Sequence, residues 1–142
     1  MKRFFDRIDH DRLVAAIAAA EKTSSGEIRV HVHHRRVADP RKEGEKVFEK
    51  LGMTKTAHRN GVLIFVAPRS RNFAILGDSG IHRECGDDFW QKAAEDLSAH
   101  FHDGKFTDGL VTTIEELGRV LAAHFPPEEG KRNELSDDID ES

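Results

Sequence analysis

Gly61-Val62-Leu63-Ile64-Phe65-Val66-Ala67 carries no polar side chain, and Pro68-Arg69-Ser70-Arg71-Asn72 and Phe73-Ala74-Ile75-Leu76 follow it. An unbroken apolar run of this length reads as a central strand covered on both faces. The proline-led turn and the second apolar run make a hairpin, so the next strand returns antiparallel. A strand buried on both sides needs a layer above and a layer below it, and the rest of the chain must supply them.

On the N-terminal side, Glu27-Ile28-Arg29-Val30-His31-Val32-His33-His34 alternates apolar with polar residues, a strand with one less buried face. Two helices flank it. The first follows Asp9 as N-cap and carries Leu13, Val14, Ile17 and Ala20 at helical spacing. The second opens on Asp39-Pro40, with Val47, Phe48 and Leu51 as its buried stripe. A helix between two strands makes them parallel, joined by a right-handed crossover. On the C-terminal side, a helix starting at Asp87 or Asp88 turns Phe89, Trp90, Ala93, Ala94, Leu97 and Phe101 inward. The next helix, capped by Thr107, turns Leu110, Val111, Ile114, Leu117, Leu121 and Phe125 inward and stops at Pro126-Pro127. The order is α-β-α-β-β-α-α, a small mixed sheet with helices on both faces. Ile81–Cys85 is a candidate fourth strand.

With 142 residues the chain is read as one domain over residues 1–125 and an acidic, flexible tail over 126–142. The tail holds seven acidic and two basic residues, so the rest carries about +1 of the overall −4. Leu135 and Ile139 are the tail residues able to dock. No basic stripe interleaved with aromatics is present, so no nucleic-acid partner is expected. No run approaches the roughly 20 apolar residues of a membrane helix. The start, Met1-Lys2-Arg3-Phe4-Phe5-Asp6, turns charged at once, unlike a signal peptide. Cys85 is the single cysteine and cannot staple a monomer. A soluble, monomeric cytoplasmic protein is expected.

Two Asp/Gly turns flank the helix from Asp87: Gly77-Asp78-Ser79-Gly80 and Asp103-Gly104-Lys105-Phe106-Thr107-Asp108-Gly109. Asp and Gly suit tight turns, and Asp also offers hard oxygen ligands. The topology brings Ser24, Ser25, Gly26, Glu27, Arg59, Asn60, Asp78 and Ser79 to one rim of the sheet. A helix of about four turns from Asp87 to His102 spans the sheet and would carry the second turn to the far rim. A link over Gly80–Gly86 that first crosses the domain would return it to the first rim. Periodicity leaves both routes open.

Thr23-Ser24-Ser25-Gly26-Glu27-Ile28-Arg29-Val30, Asn60 to Val66, Gly77 to Ile81 and Phe101 to Leu110 together resemble, in order and spacing, the TPM domain family. The resemblance covers Asp6 to Phe125. Asn133 to Ile139 also looks like the ending of short, soluble bacterial members. It implies a three-layer α/β/α sandwich with three to four strands and about four helices. It also implies a divalent cation, Ca²⁺ or Mg²⁺, held by loops at one rim, and acid-phosphatase activity as described for some plant members. Carried over by position, the metal candidates are Glu27, Asn60, Asp78, Asp103 and Asp108. This favours the route that gathers both turns at one rim, with Asp78 and Asp108 close together. The chain departs from the family in having no tyrosine, where many members carry Gly-Tyr-Gly at the first turn. The function expected is cation binding with weak phosphomonoesterase activity on a phosphate-containing small molecule. The alternative is a non-catalytic module that meets a protein partner through the rim pocket or the acidic tail.

Other residues weigh less. His31 and His33 share a strand face and could bind zinc or copper, but no third ligand has suitable spacing. Ser24, Ser25 and Ser79 lie outside any Gly-x-Ser-x-Gly elbow. Cys85 reads as an inert thiol, Trp90 as a core anchor, and Arg35, Arg36, Arg69 and Arg71 as solvated charge.

Overall fold

The computed structural model describes residues 3–127 and 139–142. Three strands arise as the patterns require: β1 (Glu27–Val32), β2 (Gly61–Ala67) and β3 (Asn72–Gly77). A fourth, β4 (Asp140–Glu141), comes from the C-terminal segment. The sheet order is β3-β2-β1-β4. β1 and β2 run parallel with Glu27 opposite Gly61, and β2 and β3 run antiparallel with Val62 opposite Gly77.

Among the described residues six helices complete the fold: α1 (Phe4–Arg7), α2 (His10–Lys22), α3 (Pro40–Lys50), α4 (Ser79–Cys85), α5 (Asp87–His102) and α6 (Phe106–His124). Asp9 and Asp39 cap α2 and α3 by accepting from Arg12 N–H and Lys42 N–H. Every residue of β2 is buried, because a helical layer lies on each face. On one face Ile28, Val30, Val32, Val62, Ile64 and Ile75 pack with Leu13 and Ile17 of α2, Leu97 of α5 and Ile114 and Leu117 of α6. On the other, Leu63, Phe65, Ala74 and Leu76 pack with Val47 and Phe48 of α3 and Met53 of a short 3-10 turn. Full burial of one such aliphatic or aromatic side chain stabilises the fold by about 1.5–3 kcal/mol. The expected α/β/α sandwich with a mixed sheet is the observed fold.

Four local readings change. Ile81–Cys85 is not a strand but lies in α4, because the Asp78 carboxylate accepts from Ser79 N–H and Ile81 is driven into the core. Thr107 does not cap α6, whose N-cap is Lys105; its Oγ1 instead accepts from Asp9 N–H at 3.0 Å. The fourth strand comes from the segment expected to be flexible, since Asp140 and Glu141 pair with His31 and Val32 and Ile139 packs on the first core. Residues 128–138, including Leu135, lie outside the described residues.

The fourth correction decides where the site is. The link after β3 does not cross the domain. It coils into α4 and stays at the rim where β3 ends, with Glu84 3.4 Å from His124 at the end of α6. From there α5 traverses the sheet. Its first turn carries Trp90, whose ring would touch a Cβ at Gly77, and its last turn sets Phe101 against Phe73 at 5.5 Å between ring centroids. The second Asp/Gly turn therefore sits at the opposite rim. Sixteen residues of α5 rise about 24 Å.

Candidate functional site

The first rim is built around Gly61. Its carbonyl accepts from Asp78 N–H at 2.9 Å, and Glu27 is its partner in the parallel register. Asn60 directly precedes it. Three of the five candidates thus meet at one end of the sheet because adjacent strands start or finish there. All three are buried, Glu27 to 0%, Asn60 to 1% and Asp78 to 7% exposure.

Asp78 is held tightly. Arg59 Nε donates to its Oδ2 at 2.7 Å and Nη2 to its Oδ1 at 2.9 Å. Ser79 N–H adds a third bond at 2.7 Å. This forked pairing is the strongest arrangement a guanidinium offers a carboxylate. The hydrogen bond and charge of Asp78 raise the Arg59 pKa further. Arg59 reaches this position from a left-handed backbone, φ 52°. Gly80 makes the turn possible: a Cβ there would lie 2.3 Å from the His58 carbonyl oxygen and 2.7 Å from that of Arg59. Gly80 N–H donates to the same Arg59 oxygen at 2.8 Å.

Asn60 Nδ2 donates to Ser25 Oγ at 3.1 Å, and Ser25 N–H to the carbonyl of Phe125 at 2.9 Å, tying this rim to the end of α6. Asn60 Oδ1 is buried and has no hydrogen-bond partner among the described residues. Glu21, at the end of α2, accepts from Ile28 N–H at 2.8 Å beside the same rim. No sequence signal singled out Glu21, and topology put Arg59 at this rim without a role, because a helix-end Glu and a loop Arg are ordinary surface residues by type.

The other two candidates are elsewhere. Asp108 is exposed and pairs with Arg12 of α2 at 3.1 Å. Asp103 is exposed at the end of α5, 3.6 Å from His102. They are not brought to Asp78, because α5 carries them the length of the sheet away. One cation cannot be held by all five residues. Among the described residues no three His, Cys, Asp or Glu side chains form a metal-holding group. The oxygen groups at this rim with cation chemistry are the Glu27 and Asp78 carboxylates and Asn60 Oδ1. In chemistry they suit a hard ion, and the unpartnered amide oxygen is an acceptor that such an ion would satisfy. In number they suit Mg²⁺, which keeps several waters, better than Ca²⁺, which takes six to eight oxygens. Two surface clefts lie elsewhere, one along α2 beside Ile139 and one between α5 and α6, and neither includes these residues.

The remaining candidates settle as structure. Ser24 Oγ caps the end of α2 by donating to the Ala20 carbonyl at 3.2 Å. Burial raises the pKa of the half-buried Cys85 thiol, away from reactivity. The ring of Trp90 stacks with His82 at 6.0 Å.

A family profile described as the TPM domain matches residues 1–120. The chain is similar over its whole length to the BA42 protein from the psychrophilic bacterium Bizionia argentinensis, solved by NMR. The two share 36% identity, each chain is covered to 100%, and the TM-score is 0.88. It also resembles the solution structure of an N-terminal domain of a protein from P. gingivalis. There the identity is 19%, coverage is 84% of this chain and 76% of that one, and the TM-score is 0.64, a likeness of fold alone. No curated protein matches it.

Proposed function

This chain belongs to the TPM domain family, and on that premise we propose that it binds a divalent cation at the rim of Glu27, Asn60 and Asp78 and acts there weakly on phosphomonoesters. The observation that best supports this reading is Asn60 Oδ1, an acceptor in a side chain only 1% exposed, unpartnered among the described residues. Leaving such a group unsatisfied costs about 1–3 kcal/mol, which coordination would offset. Glu27 and Asp78 would supply the negative charge and Asn60 the neutral oxygen. A bound cation would polarise a phosphate oxygen and acidify its own water ligand.

Arg59 controls access. Its guanidinium occupies both oxygens of Asp78, yet the side chain is half exposed and can leave toward solvent. Once released it is placed to pair with a phosphate, the other anion that a guanidinium fork suits. The cation and Arg59 therefore compete for Asp78.

Calorimetric titration of the full chain with Mg²⁺, Ca²⁺, Mn²⁺ and Zn²⁺ tests this. Asp78→Asn should weaken binding at least tenfold, and Asp108→Asn should leave it unchanged. Arg59→Asn, which tolerates the positive φ, should strengthen binding. Equal affinity in Asp78→Asn, or loss in Asp108→Asn, would overturn the assignment. No heat with any metal would leave the rim a structural network and the chain a non-catalytic interaction module. Hydrolysis of p-nitrophenyl phosphate should be lost with Asp78→Asn.

A further inference from the structure

The outer edge of β1 carries a second constellation, unrelated to the first rim. Ile139–Ser142 lies along it as a short parallel strand. Ser142 N–H donates to the Val32 carbonyl at 3.0 Å, and His34 N–H to the Ser142 carbonyl at 2.9 Å. Strand alternation sorts its side chains. Ile139 and Glu141 turn to one face of the sheet, Asp140 and Ser142 to the other.

Each polar side chain of the segment meets a cationic or imidazole partner. Asp140 Oδ2 accepts from His31 Nδ1 at 2.5 Å, and its Oδ1 lies 3.7 Å from Arg29 Nη2. Glu141 Oε2 is 2.6 Å from His34 Nε2 and 3.8 Å from Arg3 Nη2. Ser142 Oγ is 2.8 Å from both His31 Nε2 and His33 Nδ1. With His31 neutral, its Nδ1 proton goes to Asp140, so Nε2 accepts from the Ser142 hydroxyl, which accepts in turn from His33. The receiving side is stiff: both rings pack on Phe65, His31 stacked at 5.5 Å and His33 tilted at 5.4 Å. Arg29 Nε is buried and has no acceptor among the described residues, so the groove keeps an unspent donor.

We propose that the β1 edge, with Arg29, His31, His33 and His34, is a docking groove for an extended acidic segment of a partner protein, and that Ile139–Ser142 is the resident segment a partner must displace. Main-chain pairing gives such a site its affinity and the alternate side-chain contacts give its specificity. The groove accepts a strand parallel to β1 with an apolar residue, two acids and a hydroxyl in that order. Charge complementarity selects acidic over basic segments. Because the resident segment is tethered, its effective concentration is high, and an added segment binds weakly until the resident one is removed.

The test uses the full chain and a synthetic peptide with the sequence of residues 138–142. In Asp140→Lys/Glu141→Lys the resident segment is repelled from the groove. The peptide should then shift the NMR signals of the His31, His33 and His34 rings, with affinity at least tenfold tighter than for the unmodified chain. A peptide with lysines in place of its acids should not bind. If the charge-reversed chain melts early, Asp140→Asn/Glu141→Gln removes the same charges without bulk and is read the same way. No binding to either emptied chain, or equal binding to emptied and unmodified chains, would overturn the proposal.

Discussion

Gly80 shows how much of the first rim rests on single residues. Its missing Cβ lets two backbone carbonyls approach, and the Arg59 loop closes over Asp78 as a result. Gly80→Ala forces backbone rather than a flexible side chain to move, so it should cost about 2 kcal/mol and lower Tm by several degrees. Gly26→Ala would meet the side chain of Leu121 rather than backbone, and should cost less. Thermal melts of the two variants check this, and an equal loss would contradict it. Sequence alone marked Glu27, Asn60 and Asp78 through their neighbours in a familiar ordered pattern. It placed Arg59 at the same rim but gave it no role, because nothing in a loop arginine's sequence setting says that it will fork onto a buried carboxylate 19 positions later.

At the scale of elements, β1 couples the sheet to proton concentration. The His31 pKa is lowered, first by burial, against the raising effect of its Asp140 bond, with His33 and Arg29 lowering it further. That of His33 is lowered, first by burial, against Glu43 and with Arg35 and His34 adding to the fall. The folded state thus prefers both rings neutral, while the unfolded chain protonates them near the ordinary value of about 6.5. The unfolded state binds more protons as pH falls through that value, so stability is full above it and declines below. Urea midpoints at pH 7.5 and 5.5 should fall in that order, and the drop should shrink in His31→Gln. A rise on acidification would contradict the assignment. β1 through β3 and the long helices were legible because hydrophobic periodicity and Asp caps agree there. α4 was not, since Ile81–Cys85 is too short to show a period and its helix depends on Asp78. β4 was not legible either: two acidic residues have no strand propensity, and their pairing depends on histidines 109 and 107 positions away.

In the molecule as a whole, helix length decides which residues can act together. The sequence gives α5 enough turns to cross the sheet, and it leaves open whether the link before it crosses first. Packing of Ile81 in the core and Trp90 under Gly77 closes that choice and separates the two Asp/Gly turns by about 20 Å, the length of β2. One acidic pocket becomes a buried network at one rim and exposed helix-end charges at the other. NMR titration of the full chain with Mg²⁺ tests this division most directly. Amide signals of Gly61, Asp78, Ser79 and Gly80 should move while those of Asp103 to Gly109 stay. Shifts concentrated in Asp103 to Gly109, or none at either rim, would contradict it.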